Sequence, residues 1–362
     1  MPLDVVTPGA PLPDIATPLI EWQRCHGRHD LPWQVRDAYR VWLSEVMLQQ
    51  TQVATVKGYF IRFIERFPDV AALAAAPLDD VLALWSGLGY YSRARNLWRC
   101  ARVVVEQHGG RFPDGAAVLE TLPGIGRSTA AAIAAFCQGE RVAILDGNVR
   151  RVLTRVLAFD EDPMQPAAQR RLWAMAEALL PEKGIEPYTQ GLMDLGATVC
   201  LPRNPRCGGC PLRSDCRAAA SADPSSWPKR RPRAARRRAD SILVWLWKDG
   251  QVWLQRRPDR GVWAGLWCLP AFADLAAVQA AFAGSEPAWR VLPARLHVLT
   301  HRDWWLQPWV ADWPPENPAA QTPDDPPIPG RWWTVEQALQ QGLPAPVREW
   351  LCLLYTSPSP RD

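Results

Sequence analysis

No run of apolar residues in this 362-residue chain approaches the length of a bilayer, which argues against a membrane-spanning helix. The opening stretch, MPLDVVTPGAPLPD, has no basic start followed by an apolar segment. No secretory signal is therefore expected, and a reduced cytoplasmic compartment is. A disulfide framework is lacking too: Cys25, Cys100, Cys137, Cys268 and Cys352 are scattered as buried or free thiols would be. Charge of one sign is barely in excess, 41 basic side chains against 37 acidic.

The small excess is unevenly placed. Residues 1–228 carry 24 basic and 24 acidic side chains, Lys229–Arg238 add seven positive charges, and residues 239–362 hold 10 basic against 13 acidic. A basic connector, PKRRPRAARRR, thus divides the chain, serving as a solvated linker or as a direct contact to DNA phosphates. Upstream, Pro77–Leu84, Arg95–Gln107, Ser128–Cys137 and Gln169–Leu180 are alanine-rich and amphipathic, broken by Gly and Pro turns, so helices are expected. Downstream, the apolar runs Ile242–Trp247 and Val252–Gln255 flank Lys248-Asp249-Gly250, the signature of a β-hairpin. Thirteen of the 20 tryptophans lie beyond Ala239. The expected organisation is a mainly α region over 19–224, a basic linker over 225–239 and a small α+β domain over 240–354. Residues 355–362, YTSPSPRD, break with everything before them and read as a non-native tail.

Cys200, Cys207, Cys210 and Cys216 stand as C-x6-C-x2-C-x5-C in one short loop. Thiolates crowded this closely in a reduced protein call for a soft metal, either zinc or a [4Fe-4S] cluster. Zinc sites usually combine two close pairs across a longer stretch, and only one C-x2-C occurs here, so the spacing favours the cluster. A disulfide pair is the weaker explanation.

Three further stretches carry chemistry. Leu122-Pro123-Gly124-Ile125-Gly126-Arg127-Ser128 runs straight into a helix. Glycines there expose backbone N–H groups at a helix start, a geometry that binds phosphate without reading sequence. Asp146 lies just before a helix whose apolar stripe is Val149, Val152, Leu153, Val156 and Leu157; there it is a cap or, if a second acid faces it, a catalytic carboxylate kept charged by the helix start. The second acid is Glu45, in VWLSEVMLQQTQV. On one continuous helix Glu45, Gln49 and Gln52 share a face, where amides suit base edges and a desolvated carboxyl suits acid catalysis.

Together with LPW (31–33), VWLSEVMLQQTQVATV (41–56), GLGYYSRARNL (87–97), LPGIGRSTA (122–130), ILDGNVRRVL (144–153) and MDLGA (193–197), these stretches resemble the MutY-type adenine DNA glycosylases of the helix-hairpin-helix/iron–sulfur superfamily. The resemblance implies a helix-hairpin-helix glycosylase fold with a [4Fe-4S] loop at 200–216 and a Nudix-like C-terminal domain. It implies that Glu45 protonates adenine at N7 and later helps activate water, that Asp146 stabilises the cationic sugar, and that Asn148 supports the water and Asp146. Trp33 and Gln190 match the surroundings of an extruded adenine. Gln50 and Tyr90 match residues that wedge into the duplex, and Thr51 and Leu88 the neighbourhood of 8-oxoguanine. Gly124, Gly126, Arg127 and Ser128 form the phosphate-binding hairpin. Bifunctional relatives carry lysine at the position of Ser128; serine cannot form a Schiff base, so base removal without strand cleavage is implied.

In the C-terminal part, Gly261–Pro270 resembles the family's Nudix-like reader, but the glutamate-rich REx2EExG helix of a working Nudix hydrolase is missing. Leu299-Thr300-His301 matches the family's Phe-Ser-His loop, with Thr300 and His301 implied to sense 8-oxoguanine and Leu299 replacing the aromatic. The implied function is monofunctional removal of adenine opposite 8-oxoguanine or guanine in duplex DNA, by a monomeric, bacterial, cytoplasmic protein that joins the nucleoid on DNA and has no membrane partner. The alternatives are a mismatch glycosylase of altered base preference and a catalytically silent iron–sulfur DNA-binding protein.

Overall fold

A computed structural model describes residues 12–221, 223–229, 235–315 and 324–356. Residues 230–234 of the basic linker and 357–362 of the tail lie outside the described residues. The chain divides into two compact units, one made of Met1–Ala74 with Arg99–Pro232, the other of Ala75–Trp98 with Arg233–Asp362.

The first unit is helical. Helices Ala16–His26, Arg127–Ile133, Gly147–Val156, Pro166–Ala178 and Ile185–Thr198 close around Leu19, Val149, Val152, Leu153, Leu172 and Leu192. Helix Gly147–Val156 buries the stripe expected of it, while Arg127–Ile133 passes into a π turn, Ala134–Gln138. Two glycines on Ile185–Thr198 permit close helix approach. A Cβ on Gly191 would lie 3.0 Å from Leu19 Cγ, and one on Gly196 would lie 2.7 Å from Asn148 Cβ. Helix–helix contact at both positions therefore requires the missing side chain.

The second unit holds an eight-stranded mixed sheet: β1 (Arg237–Lys248), β2 (Gln251–Arg256), β3 (Trp267–Cys268), β4 (Ala271–Phe272), β5 (Arg290–Val291), β6 (Arg295–Val298), β7 (Arg302–Asp312) and β8 (Arg331–Thr334). The hairpin forms as its turn chemistry demands. Asp249 (φ 49°) and Gly250 (φ 76°) both take the left-handed conformation that matches strand twist, pairing Trp247 with Val252. β1 and β7 run parallel from Arg237↔Arg302 to Trp247↔Asp312, so the last residues of the basic linker are already strand. Tryptophans fill both faces, Trp245, Trp304 and Trp333 on one and Trp253 and Trp313 on the other.

The compact units cut across the sequence boundary at one place. Residues 75–98, including helix Leu78–Leu84 and the start of helix Ser92–His108, pack with the C-terminal residues. The Tyr91 hydroxyl donates to the Leu343 carbonyl at 2.7 Å, and Arg95 Nη1 donates to the Ala264 carbonyl at 2.5 Å. An Arg256–Asp79 ion pair (2.8 Å) adds to them.

Candidate active site and cluster loop

Helix Ala38–Leu48 begins at Asp37, whose carboxylate accepts the Arg40 N–H at 3.0 Å. Tyr39, Val41, Trp42, Leu43, Val46 and Met47 are buried, so the helix is held on most of its circumference. Glu45 is carried rigidly on it and lines a cavity of about 480 Å³ together with Arg28, Trp33, Ser44, Gln190 and Met193. That size and mixed lining suit a small aromatic ligand. Burial pushes the Glu45 carboxyl up to about 8, and the nearby negative charge of Asp146 pushes in the same direction. At neutral pH Glu45 is a loaded proton donor.

Asp146 caps helix Gly147–Val156, its Oδ1 accepting the Val149 N–H at 2.7 Å. A sequence reading expects the helix start to keep this carboxylate charged. Burial instead raises its pKa, outweighing the hydrogen bonds from Val149 and Asn148 and the charges of Arg151 and Arg150. Desolvation is the larger effect because the helix lends only partial charge, whereas a low-dielectric surrounding acts on a whole one. Asn148 Oδ1 accepts from Arg151 Nη2 at 2.9 Å, and the same nitrogen donates to the Gly196 carbonyl at 2.6 Å.

One expected arrangement is absent. The helix carrying Glu45 ends at Leu48, Gln50 takes a left-handed φ of 59°, and a second helix starts at Val53. Gln52 therefore lies outside the helix that carries Glu45 and Gln49 is that helix's C-cap, so the three do not share one continuous helical face, because the chain turns between them. Gln50 is exposed at that turn and Thr51 half-buried. A non-glycine residue held at positive φ is strained, which is how binding sites often present a side chain.

Trp33 is buried, edge-on to Phe60 with centroids 5.4 Å apart. Gln190 Nε2 donates to Asp194 Oδ1 at 2.8 Å. Asp194 is fully buried and also accepts the Arg28 backbone N–H (2.9 Å) and Nε (2.7 Å). One carboxylate thus presets two cavity-lining side chains. Nothing local in the sequence singles out Arg28 or Asp194 as a pair; the one available signal is the i,i+4 spacing of Gln190 and Asp194 on a helix.

In the hairpin, Gly124 turns at φ 77° and Gly126 caps Arg127–Ile133. The Arg127 guanidinium lies 4.0 Å from the Trp173 ring centroid and pairs with Glu177. Ser128 Oγ accepts the Leu145 N–H at 3.1 Å, tying the hairpin to the residue before Asp146. In the second unit Leu88 is buried and Tyr90 is 50% exposed, the latter with φ 48°. Thr300 and His301 are exposed between β6 and β7, beside Leu299, which packs on the core.

Cys200, Cys207, Cys210 and Cys216 face one small cavity with Arg155 and Arg213. None is in a disulfide. Among the described residues no three His, Cys, Asp or Glu side chains converge as they would on a single metal ion. Four cysteines lining one cavity supply the all-thiolate donor set that a [4Fe-4S] cluster takes. Burial pushes the Cys210 thiol up to about 11 and raises Cys216, with the other cysteines adding to both shifts. Thiolates there need the positive charge that a bound cluster supplies.

Arg155, 2% exposed, reaches this site from the buried face of Gly147–Val156. Its Nη1 donates to Cys200 Sγ (3.2 Å) and the Leu201 carbonyl (2.7 Å), Nη2 to the Pro202 carbonyl (3.1 Å), and Nε to the Trp227 carbonyl (3.2 Å). One turn earlier, Arg151 Nε donates to the Cys200 carbonyl at 2.7 Å. A sequence reading passes over both arginines, although two arginines four apart on an otherwise apolar stripe are the detectable sign of buried, partnered charge.

The chain is similar over about 70% of its length to curated adenine DNA glycosylases. It is 37% identical over 255 residues to an adenine DNA glycosylase of Buchnera aphidicola subsp. Schizaphis graminum, covering 70% of this chain and 74% of that protein. The chain belongs to the adenine DNA glycosylase family. The human adenine DNA glycosylase is 37% identical over 308 residues, covering 70% of this chain and 56% of its own. Residues 43–178 match the HhH-GPD superfamily of base excision DNA repair proteins, 200–216 the iron–sulfur binding domain of endonuclease III, and 242–352 a NUDIX domain. A thermostable thymine-DNA glycosylase superposes with a TM-score of 0.52 at 28% identity, over 57% of this chain and 94% of its own.

This chain is therefore a DNA glycosylase of base excision repair that binds DNA and carries a [4Fe-4S] cluster on its four-cysteine loop. No helix of the described residues is long and apolar enough to cross a membrane. Anaerobically purified protein is expected to be yellow-brown and to contain about four irons per chain. Stoichiometric zinc without iron would contradict the assignment.

Proposed function

We propose that this glycosylase removes adenine paired with 8-oxoguanine, and more slowly with guanine, by hydrolysing the N-glycosidic bond without cutting the strand. The single observation that carries this reading is Glu45: a carboxyl protonated at neutral pH, aimed into a base-sized cavity and pressed by the charge of Asp146. Adenine is a poor leaving group until protonated. It must also leave the stack to be reached, and the cavity walled by Trp33 and Gln190 would receive it. Glu45 delivers its proton to N7; the bond to the sugar then weakens and the developing cation is met by Asp146. Asp146 is best stabilised as an anion when that cation appears, because burial, which raises its pKa, leaves its charge little solvated until then. Asn148, oriented by Arg151, holds the water that completes hydrolysis, and Glu45, now deprotonated, accepts its proton. The cluster holds the loop bearing Arg203, Arg206 and Arg213, whose exposed side chains would lie against phosphates.

On this reading Gln50 and Tyr90 wedge into the duplex, Thr51 and Leu88 face the partner base, and Thr300 and His301 read its 8-oxo group. The protein acts as a monomer in the bacterial cytoplasm.

Single-turnover assays on duplexes carrying A opposite 8-oxoguanine, A opposite guanine and T opposite guanine test the assignment. Adenine release is expected from the first two and no base release from the third. The rate should be flat below about pH 7 and fall as pH rises through about 8, since the acid must be protonated. A preference for thymine would replace the adenine reading, and a rate that rises through pH 8 would remove Glu45 as the acid.

A further inference from the structure

The loop between helices Leu78–Leu84 and Ser92–His108 belongs to the compact unit built mainly from the C-terminal residues. Its backbone is unusual: Gly87 (φ 101°), Gly89 (φ 70°) and Tyr90 (φ 48°) all have positive φ. Tyr90 projects from it half exposed, while Leu88, Tyr91 and Arg93 are buried. Inside the loop, Trp85 Nε1 donates to the Gly89 carbonyl (3.0 Å) and Arg93 Nη2 to the Leu88 carbonyl (3.2 Å). These bonds shape the turn but do not anchor it.

Anchorage comes from residues more than 160 positions away. The buried Tyr91 hydroxyl, next to Tyr90, donates to the Leu343 carbonyl at 2.7 Å. Arg95 Nη1, one helical turn on, donates to the Ala264 carbonyl at 2.5 Å. Leu343 is wholly buried and its neighbour Gly342 sits so close that a Cβ would meet Leu82 Cβ at 2.9 Å. The segment before and after the loop is therefore gripped by the C-terminal domain at Tyr91 and Arg95. Ser86 adds weaker support, its Oγ donating to the same Leu343 carbonyl at 3.5 Å and accepting from Arg348 Nη1 at 3.4 Å, as does the Asp79–Arg256 ion pair. A positive-φ residue such as Tyr90 persists only where its surroundings over-determine it.

We infer that Tyr91 and Arg95 are positioning residues for partner-base discrimination: through the Leu343 and Ala264 carbonyls, the C-terminal domain sets the loop that presents Leu88 and Tyr90. This rests on the functional reading above and deepens it. The C-terminal domain then contributes to lesion selectivity in two separable ways, by its own exposed Thr300-His301 turn and by holding a loop that precedes it in sequence by two hundred residues. Removing the Tyr91 hydroxyl leaves the buried Leu343 carbonyl with only the long 3.5 Å bond from Ser86 Oγ, and the loop it steadied opens more often.

The test uses the full-length protein with Tyr91→Phe, Arg95→Gln and the double variant. Hydrogen–deuterium exchange without DNA is expected to speed at least tenfold for amides of residues 86–91 in the double variant, with the helices around Glu45 unchanged. The ratio of single-turnover rates for A opposite 8-oxoguanine over A opposite guanine is expected to fall about fivefold, the guanine-paired rate staying within twofold. Arg95→Lys, which retains a donor, should recover part of the ratio lost in Arg95→Gln. Unchanged exchange in the loop, or an unchanged ratio despite faster exchange, overturns the inference. A parent enzyme with no preference between the two substrates would instead sink the functional reading, while the exchange result still decided whether the C-terminal domain sets the loop.

Discussion

Glu45→Gln is expected to lower single-turnover adenine release by at least 10³-fold while duplex affinity stays within about threefold, the size of effect a positioned proton donor supplies. The amide keeps the shape of the side chain and its place in the cavity wall, so binding has no reason to fail. What it loses is the proton. The same variant carries a second, opposite signature. The carboxyl has a pKa of about 8 in the fold against 4.5 when free, so the native state holds a proton that the unfolded chain releases between those values. Stability is therefore fully present below about pH 4.5 and is lost progressively as pH rises through about 8. Glutamine does not titrate and escapes that loss. Thermal unfolding should show Glu45→Gln more stable than the parent by roughly 2–6 °C at pH 8, with the gap closing near pH 5. A catalytically dead variant that is no more stable at pH 8 would mean that the carboxyl is solvated and its catalytic role has another basis.

Arg155→Leu is expected to have the other large effect, on the cluster. Its guanidinium is buried and satisfies three carbonyls, those of Leu201, Pro202 and Trp227, besides touching the Cys200 sulfur. Each buried acceptor left without a donor costs about 1–3 kcal/mol, and leucine provides none. The positive charge that Arg155 places beside the Cys200 sulfur disappears as well. The variant should purify with less than about one iron per chain, bind duplex weakly, and show a flatter salt dependence because the loop arginines are no longer presented. Arg155→Lys should retain more iron than Arg155→Leu, since it restores charge but not the fork of donors. Full iron content in Arg155→Leu would show that the loop closes around its cluster without this support.

The local geometry of the candidate site was legible in the chain wherever it depended on neighbouring residues. The four cysteines in one loop, the glycines of the hairpin, the Asp-Gly turn between β1 and β2, and Asp146 at a helix start are local patterns, each imposed by the geometry of a few consecutive residues. The two carboxylates could be named from their motifs, and the burial of their surroundings follows from the apolar residues on either side of them.

Tertiary structure decided the rest. That Glu45 is protonated at neutral pH depends on the desolvation and the Asp146 charge that meet only after two distant helices pack. That helix Ala38–Leu48 stops before Gln49 depends on a left-handed Gln50 that no propensity requires. The Arg28–Asp194 bond spans 166 positions, Arg155 reaches Trp227 across 72, and Tyr91 reaches Leu343 across 252. Residue type and spacing determine which side chains can donate a proton, hold a cluster or turn a chain. Which buried donor finds which carbonyl, and which loop is held by which domain, depends on packing between segments far apart in sequence, and a linear pattern carries no term for that.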